Sequence, residues 1–186
     1  MRRSGLQDGL SIIDEDHRRV REILDELRPE DPGDFPDRKV VEHLVVEESR
    51  HEVAEEIWMW PLARDITHAP GLAARGLNQE FHAKRLLSRL RHLPTETAEA
   101  NALLERVQYA LREHMLYEER EILPLIRLGM DEELSVQVGK LITAARASAP
   151  TRPRPYMPAW PGLLRASAPL VGRLDRARDL AQRRGR

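Results

Sequence analysis

Two stretches of this chain repeat one pattern: His51-Glu-Val-Ala-Glu-Glu-Ile-Trp-Met-Trp-Pro61 and His114-Met-Leu-Tyr-Glu-Glu-Arg-Glu-Ile-Leu-Pro124. Both read H-x-x-x-E-E-x-x-x-x-P. On an α-helix, residues i and i+4 share a face, with Cβ atoms about 5–6 Å apart. An imidazole and a carboxylate at this spacing can close on one point. Apolar residues flank each copy at intervals of three and four, the period of a helix that faces a core. A lone histidine precedes each copy: His17 stands 34 residues before His51, and His82 stands 32 before His114. The repeat therefore predicts two helical hairpins, each supplying one His and then a His/Glu pair.

The rest of the chain extends this reading. A first helix is expected over about Leu10 to Leu27, with Ile13, His17, Val20, Leu24 and Leu27 inward. A second spans about Asp37 to Arg64, with the seam Val41, Leu44, Glu48, His51, Glu55, Trp58, Leu62. Its three polar members interrupt an apolar line. A third covers about Leu72 to Leu93, with Gln79, His82, Leu86, Leu90 and Leu93 inward. A fourth starts near the Thr95/Thr97 caps and shows Leu104, Val107, Leu111, His114, Glu118, Ile122 and Leu125. Pro29, Pro70, Gly71 and Pro94 separate these helices. The expected fold is all-α: an up-down-up-down four-helix bundle with an extra helix over Asp131 to Ala147 and a Pro-rich basic tail.

Composition changes sharply after that extra helix. Pro150, Pro153, Pro155, Pro158 and Pro161 mark a linker. Leu163 to Ala181 reads as a short basic amphipathic helix, with Pro169 and Gly172 arguing against it. The division expected is residues 1–148 as a helical bundle and 149–186 as linker and tail, partly disordered or docked. Net charge is -1, yet residues 151–186 carry nine Arg against two Asp, so an acidic body joins a basic tail. The tail is read as solvated or self-docking rather than as a nucleic-acid contact.

Aromatic residues make up only 4% of the chain, so Leu, Ile, Val and Ala must build the core, which favours packed helices. Cysteine is absent. That excludes disulfides, thiolate metal sites and cysteine nucleophiles, and leaves imidazole and carboxylate as metal donors. The N-terminus shows no secretory pattern and no run is long enough to span a membrane, so a cytoplasmic location is expected.

The polar seam residues need partners. An unpaired buried polar group costs roughly 1–3 kcal/mol, and several of them would consume much of a domain's stability. Metal coordination offsets that cost, and helical bundles build metal sites from side chains on facing helices. The candidate donors are His17, His51, Glu55, His82, His114 and Glu118. Glu48-x-x-His51 is the fragment that ferritin-like bundles use twice; Leu111 stands at the equivalent place in the second copy, so that pattern is incomplete.

Ile12-Ile-Asp-Glu-Asp-His-Arg-Arg-Val-Arg21 resembles the opening motif of the hemerythrin-like, or HHE cation-binding, family. The stretches His51 to Pro61 and His114 to Pro124 resemble its two later motifs, and the likeness covers about Leu10 to Leu128. It implies a non-haem pair of iron ions, oxo- or hydroxo-bridged, that meets O2, hydrogen peroxide or nitric oxide. The chain departs from the oxygen-carrying members. Asn78 and Leu86 flank His82 where those proteins have a second histidine one turn away. Glu118 follows His114 by four residues, where they have an Asp after five. Some HHE proteins use a carboxylate beside the second-helix histidine, which makes Glu52 a further candidate ligand. Three functions follow as expectations: an enzyme of catalase or ferroxidase type, a module that binds or senses O2, NO or iron, and a metal-free structural bundle.

Overall fold

A computed structural model describes residues 9–29, 31, 34–156 and 160–181, and every regular element within them is helical. The helices are α1 Gly9–Glu26, α2 Arg38–Ala54, α3 Trp60–Thr67, α4 Pro70–Leu90, α5 Ala98–Tyr117, α6 Leu123–Gly129, α7 Glu132–Ser148 and α8 Pro161–Ala181. Caps begin three of them. Asp37 accepts from the Lys39 N–H, Thr97 from Ala100 and Asp131 from Leu134.

The expected second helix runs on to Thr67, but it is not uniform. A π-helical turn, Glu55–Met59, joins α2 to α3, and a second one, Glu118–Ile122, joins α5 to α6. The prolines of the repeat explain both. Proline has no N–H, and its ring presses on the carbonyl four residues back, here Ile57 and Arg120. The helix relieves that pressure by widening ahead of each proline. Trp60 N–H then bonds to the Glu55 carbonyl and Leu123 N–H to the Glu118 carbonyl, five residues back.

Apolar residues form two clusters with a polar band between them. One gathers Leu10, Ile12 and Ile13 of α1, Ile57, Trp60, Ala73, Ile122 and Ile126, with Ile142 of α7 and Leu164 of α8. The other gathers Val20 to Leu27, Val41 to Val45, Leu86 to Leu90, and Leu103 to Met115. The chain crosses from the first cluster to the second along α1, returns along α2, crosses again along α4 and returns along α5. The midpoints of these four passes hold His17, His51, Glu80 and His114, all at most 2% exposed. Burial of apolar surface at both ends, at about 25 cal/mol per Å², therefore pins a polar layer in the interior.

Helix α7 packs on α1 and α2, and α8 packs on α7 and the first π turn. No helix among the described residues is long and apolar enough to cross a membrane. The tail helix forms despite Pro169 and Gly172, and it starts at Pro161, which is tolerated in a first turn.

Candidate metal centre

Each π turn begins with the first glutamate of its Glu-Glu pair, and both glutamates point into the polar band. Glu55 Oε1 lies 3.2 Å from His51 Nε2 on its own helix, while Glu55 Oε2 lies 4.0 Å from His114 Nε2 across the interior. Glu118 behaves alike: Oε1 is 3.2 Å from His114 Nε2 and Oε2 is 2.9 Å from His17 Nε2. Two donor groups result. One is His17, His51, Glu55 and Glu118; the other is Glu55, Glu80, His114 and Glu118, and within each group the donor atoms lie within 4.8 Å of one another. Glu55 and Glu118 belong to both groups.

The outward nitrogens of the three imidazoles are held from behind. His17 Nδ1 is 2.9 Å from Glu119, which also accepts from Arg21 at 2.6 Å. His51 Nδ1 faces Asp16 at 3.5 Å, and Asp16 pairs with Arg146. His114 Nδ1 meets Gln79 Oε1 at 3.5 Å. Such partners orient a ligating imidazole and keep its other nitrogen free to bind. The fourth anchor serves a carboxylate: Trp60 Nε1 donates to Glu80 Oε1 at 2.5 Å. The close approach of α4 makes room for that indole, since a Cβ on Gly76 would come within 2.0 Å of the Trp60 ring.

The atoms that face the centre lack hydrogen-bond partners. They are Nε2 of His17, His51 and His114, both carboxylate oxygens of Glu55 and Glu118, and Glu80 Oε2. Three imidazole nitrogens and five carboxylate oxygens converging at one buried point fit a cation, which would take the place of the protons that otherwise balance them. The donor set of imidazole and carboxylate suits iron, manganese, zinc or copper.

Without a cation, protons share out the charge of this buried set. Burial presses the His17 imidazolium down, but the carboxylates of Glu118 and Glu119 outweigh it and hold His17 up at about 9. Burial drives His114 down to about 4. Burial pushes Glu55, Glu80 and Glu52 well above the ordinary carboxylate range. Glu118 is held below that range, since the three histidines outweigh its burial. The His17 contact brings Glu119 down to about 2.

The structure joins five of the seven residues expected from sequence: His17, His51, Glu55, His114 and Glu118. Glu52 is 1% exposed but lies outside both donor groups. Its Oε2 is 4.0 Å from the buried Lys84 ammonium, which also contacts Glu56 at 2.5 Å and Glu80 at 4.0 Å. His82 is exposed, in a groove with Asn78, Gln79 and Tyr109 between α4 and α5. The inner stripe of α4 is Ala73, Gly76, Glu80, Ala83, Leu87 and Leu90. The expectation that His82 faces inward with Leu86 and Leu90 holds for the two leucines and fails for His82, because the small residues and one acid of this stripe give a weak apolar signal. His82→Ala is accordingly expected to leave metal content per chain unchanged, as read by elemental analysis after loading; a loss of half the metal would place His82 among the ligands.

The sequence reading assigns no role to Glu80, Asp16 or Glu119, and places Gln79 inward without a partner. Asp16 adjoins His17 and Glu119 adjoins Glu118, so the motifs offered a hint: an acid next to a donor residue serves the histidine of another helix. Tyr117 donates to the Leu72 carbonyl at 2.9 Å, a packing role, and Glu48 is buried, which raises its carboxyl to about 6.

Residues 8–126 match the Hemerythrin HHE cation binding domain. The chain belongs to that family. It is also 21% identical over 173 residues to an uncharacterized hemerythrin-like protein of Schizosaccharomyces pombe, a match covering 92% of this chain and 85% of that one. No solved structure matches it. The hemerythrin-like domain thus carries a buried His/Glu cluster in the place where a cation-binding site is expected.

Proposed function

We propose that this hemerythrin-like chain holds two iron ions between Glu55 and Glu118 and reacts with a small oxidant, hydrogen peroxide or O2. The carrying observation is that two four-residue donor groups share those two glutamates. We read the two passes out and back as a four-helix bundle over residues 1–148, with 149–186 as linker and tail, in a cytoplasmic protein. His17 and His51 would hold one ion, His114 and Glu80 the other, and Glu55 and Glu118 would touch both. Bound iron supplies redox change and Lewis acidity toward a small oxygen species.

The chain's own groups select what can react. The donor residues are all at most 2% exposed, so bulky reductants or substrates are kept from the centre. Three imidazoles and three carboxylates make a site richer in anionic donors than one of histidines alone, which favours the higher oxidation state of the metal and so disfavours reversible O2 carriage. Lys84, whose burial is outweighed by Glu52, Glu56 and Glu80, stays protonated and fixes one positive charge beside the second ion position.

The test is oxygen release. Iron-loaded protein given hydrogen peroxide is expected to evolve O2 catalytically, and His51→Ala to lose most of both iron and activity. A colour change with O2 or NO that reverses without turnover would instead assign a binding or sensing module. Wild-type protein that takes up no iron would remove the proposal.

A further inference from the structure

The family match ends at residue 126, yet the chain beyond it returns to the framework of the centre. Pro61 leaves the Ile57 carbonyl without an N–H donor four residues ahead. Arg165 of α8 fills that place, donating from Nη2 to the Ile57 oxygen at 3.2 Å. Its guanidinium also lies 3.9 Å from the centroid of the Trp58 ring. Beside it, Leu164 and Ala168 are each 2% exposed and share a core cluster with Val53, Ala54, Ile57 and Met59. One patch of α8 thus covers the turn Glu55–Met59, which leads straight into Trp60, and Trp60 holds Glu80.

Helix α8 is itself clamped. It comes so near the end of α7 that a Cβ on Gly172 would stand 2.1 Å from the Ser148 carbonyl oxygen. Asp175 takes Arg154 at 2.7 Å, and Asp179 takes Arg152 at 2.9 Å and the Thr151 hydroxyl at 2.5 Å. The linker therefore supplies the ties that keep Arg165 in place.

We infer that Arg165 is a positioning residue of the metal centre, and that α8 is a brace which fixes the first π turn. Exchanging the five-residue bond of that turn for a four-residue one would rotate Trp60 against Glu55 by about 100°. Glu55 and the Trp60–Glu80 pair would then no longer face one point. A charge-assisted bond to a carbonyl that proline deprives of its usual donor, with an aromatic face beneath, holds the wider form. The inference rests on the reading of Glu55 as a shared ligand.

The test uses the full chain as wild type, Arg165→Ala, Arg165→Lys and Gly172→Ala. Amide hydrogen exchange of metal-free protein is followed in peptides covering residues 55–62, and loss of ferrous iron to an excess of chelator is timed after anaerobic loading. Arg165→Ala is expected to speed both by about tenfold, the value of one charged hydrogen bond, with exchange in α5 unchanged. Gly172→Ala, which wedges α8 away without touching the turn, should do the same, and Arg165→Lys should keep wild-type rates. Equal rates for wild type and Arg165→Ala, or equally fast rates for the Ala and Lys variants, would overturn the brace. Faster exchange in Arg165→Ala, together with a wild type that binds no iron, would keep the brace and sink the reading of the centre.

Discussion

Glu118→Gln is expected to strip both cation positions at once, whereas Glu80→Gln should lose only one ion of two. The contrast follows from geometry. The two Glu118 oxygens reach different imidazoles, His17 at 2.9 Å and His114 at 3.2 Å, so one side chain closes both positions. Glu80 belongs to the second group alone. Changes to residues that merely orient a ligand cost about 10–100-fold in affinity, and loss of a shared donor should reach at least the top of that range at each position. Glutamine keeps the shape and can still bond, so the fold is expected to persist. The ratio of metal to protein after loading and gel filtration reads the result directly. Equal metal contents in the two variants would mean that Glu118 does not join two positions.

The second large effect is on stability. Metal-free protein is expected to lose thermal stability as pH rises from about 6.5 to 9, while the loaded protein holds steady. His17 is raised to about 9 against an unfolded value near 6.5. A group raised in the folded state stabilises fully below its unfolded pKa and loses that contribution as pH climbs through the folded one. Glu52, Glu55 and Glu80 are raised as well, so they add to the fall with the same sign. His114, lowered to about 4, acts on the other side: it removes stability as pH drops below about 6.5. One linked proton amounts to about 1.4 kcal/mol per pH unit, or roughly 3–6 °C in Tm for a chain of this size. Bound metal displaces these protons, so the gap between loaded and metal-free Tm should widen with pH. Melting curves at three pH values decide it, and a metal-free Tm that stays flat or rises over this window would show that the buried groups are not charged at the expense of the fold.

These outcomes depend on residues of unequal legibility. The Pro61 and Pro124 motifs, the cap at Thr97, and the apolar lines of α1, α2 and α5 are local. Each can be read because one helix turn brings its own residues together. The same holds for His51 with Glu55 and His114 with Glu118. Helix α4 was harder. Its buried stripe runs through Ala73, Gly76, Glu80 and Ala83, which look no more apolar than the exposed side, and His82 drew the eye one face away. The π turns were also invisible as such, although the prolines that provoke them were in plain view.

The amino-acid order by itself determined the helical class, the places where helices stop, and the paired imidazole and carboxylate on two of them, because spacing along a single helix settles those matters. Only the tertiary structure decided that Glu80 and not His82 completes the second group, that Glu119 backs His17 from 102 residues away, and that Arg165 caps the Ile57 carbonyl from 108. Those contacts depend on how each helix is rolled about its axis and on which distant segment is laid beside it. Neither quantity leaves a period or a motif in one chain, since the packing of all the helices together fixes both.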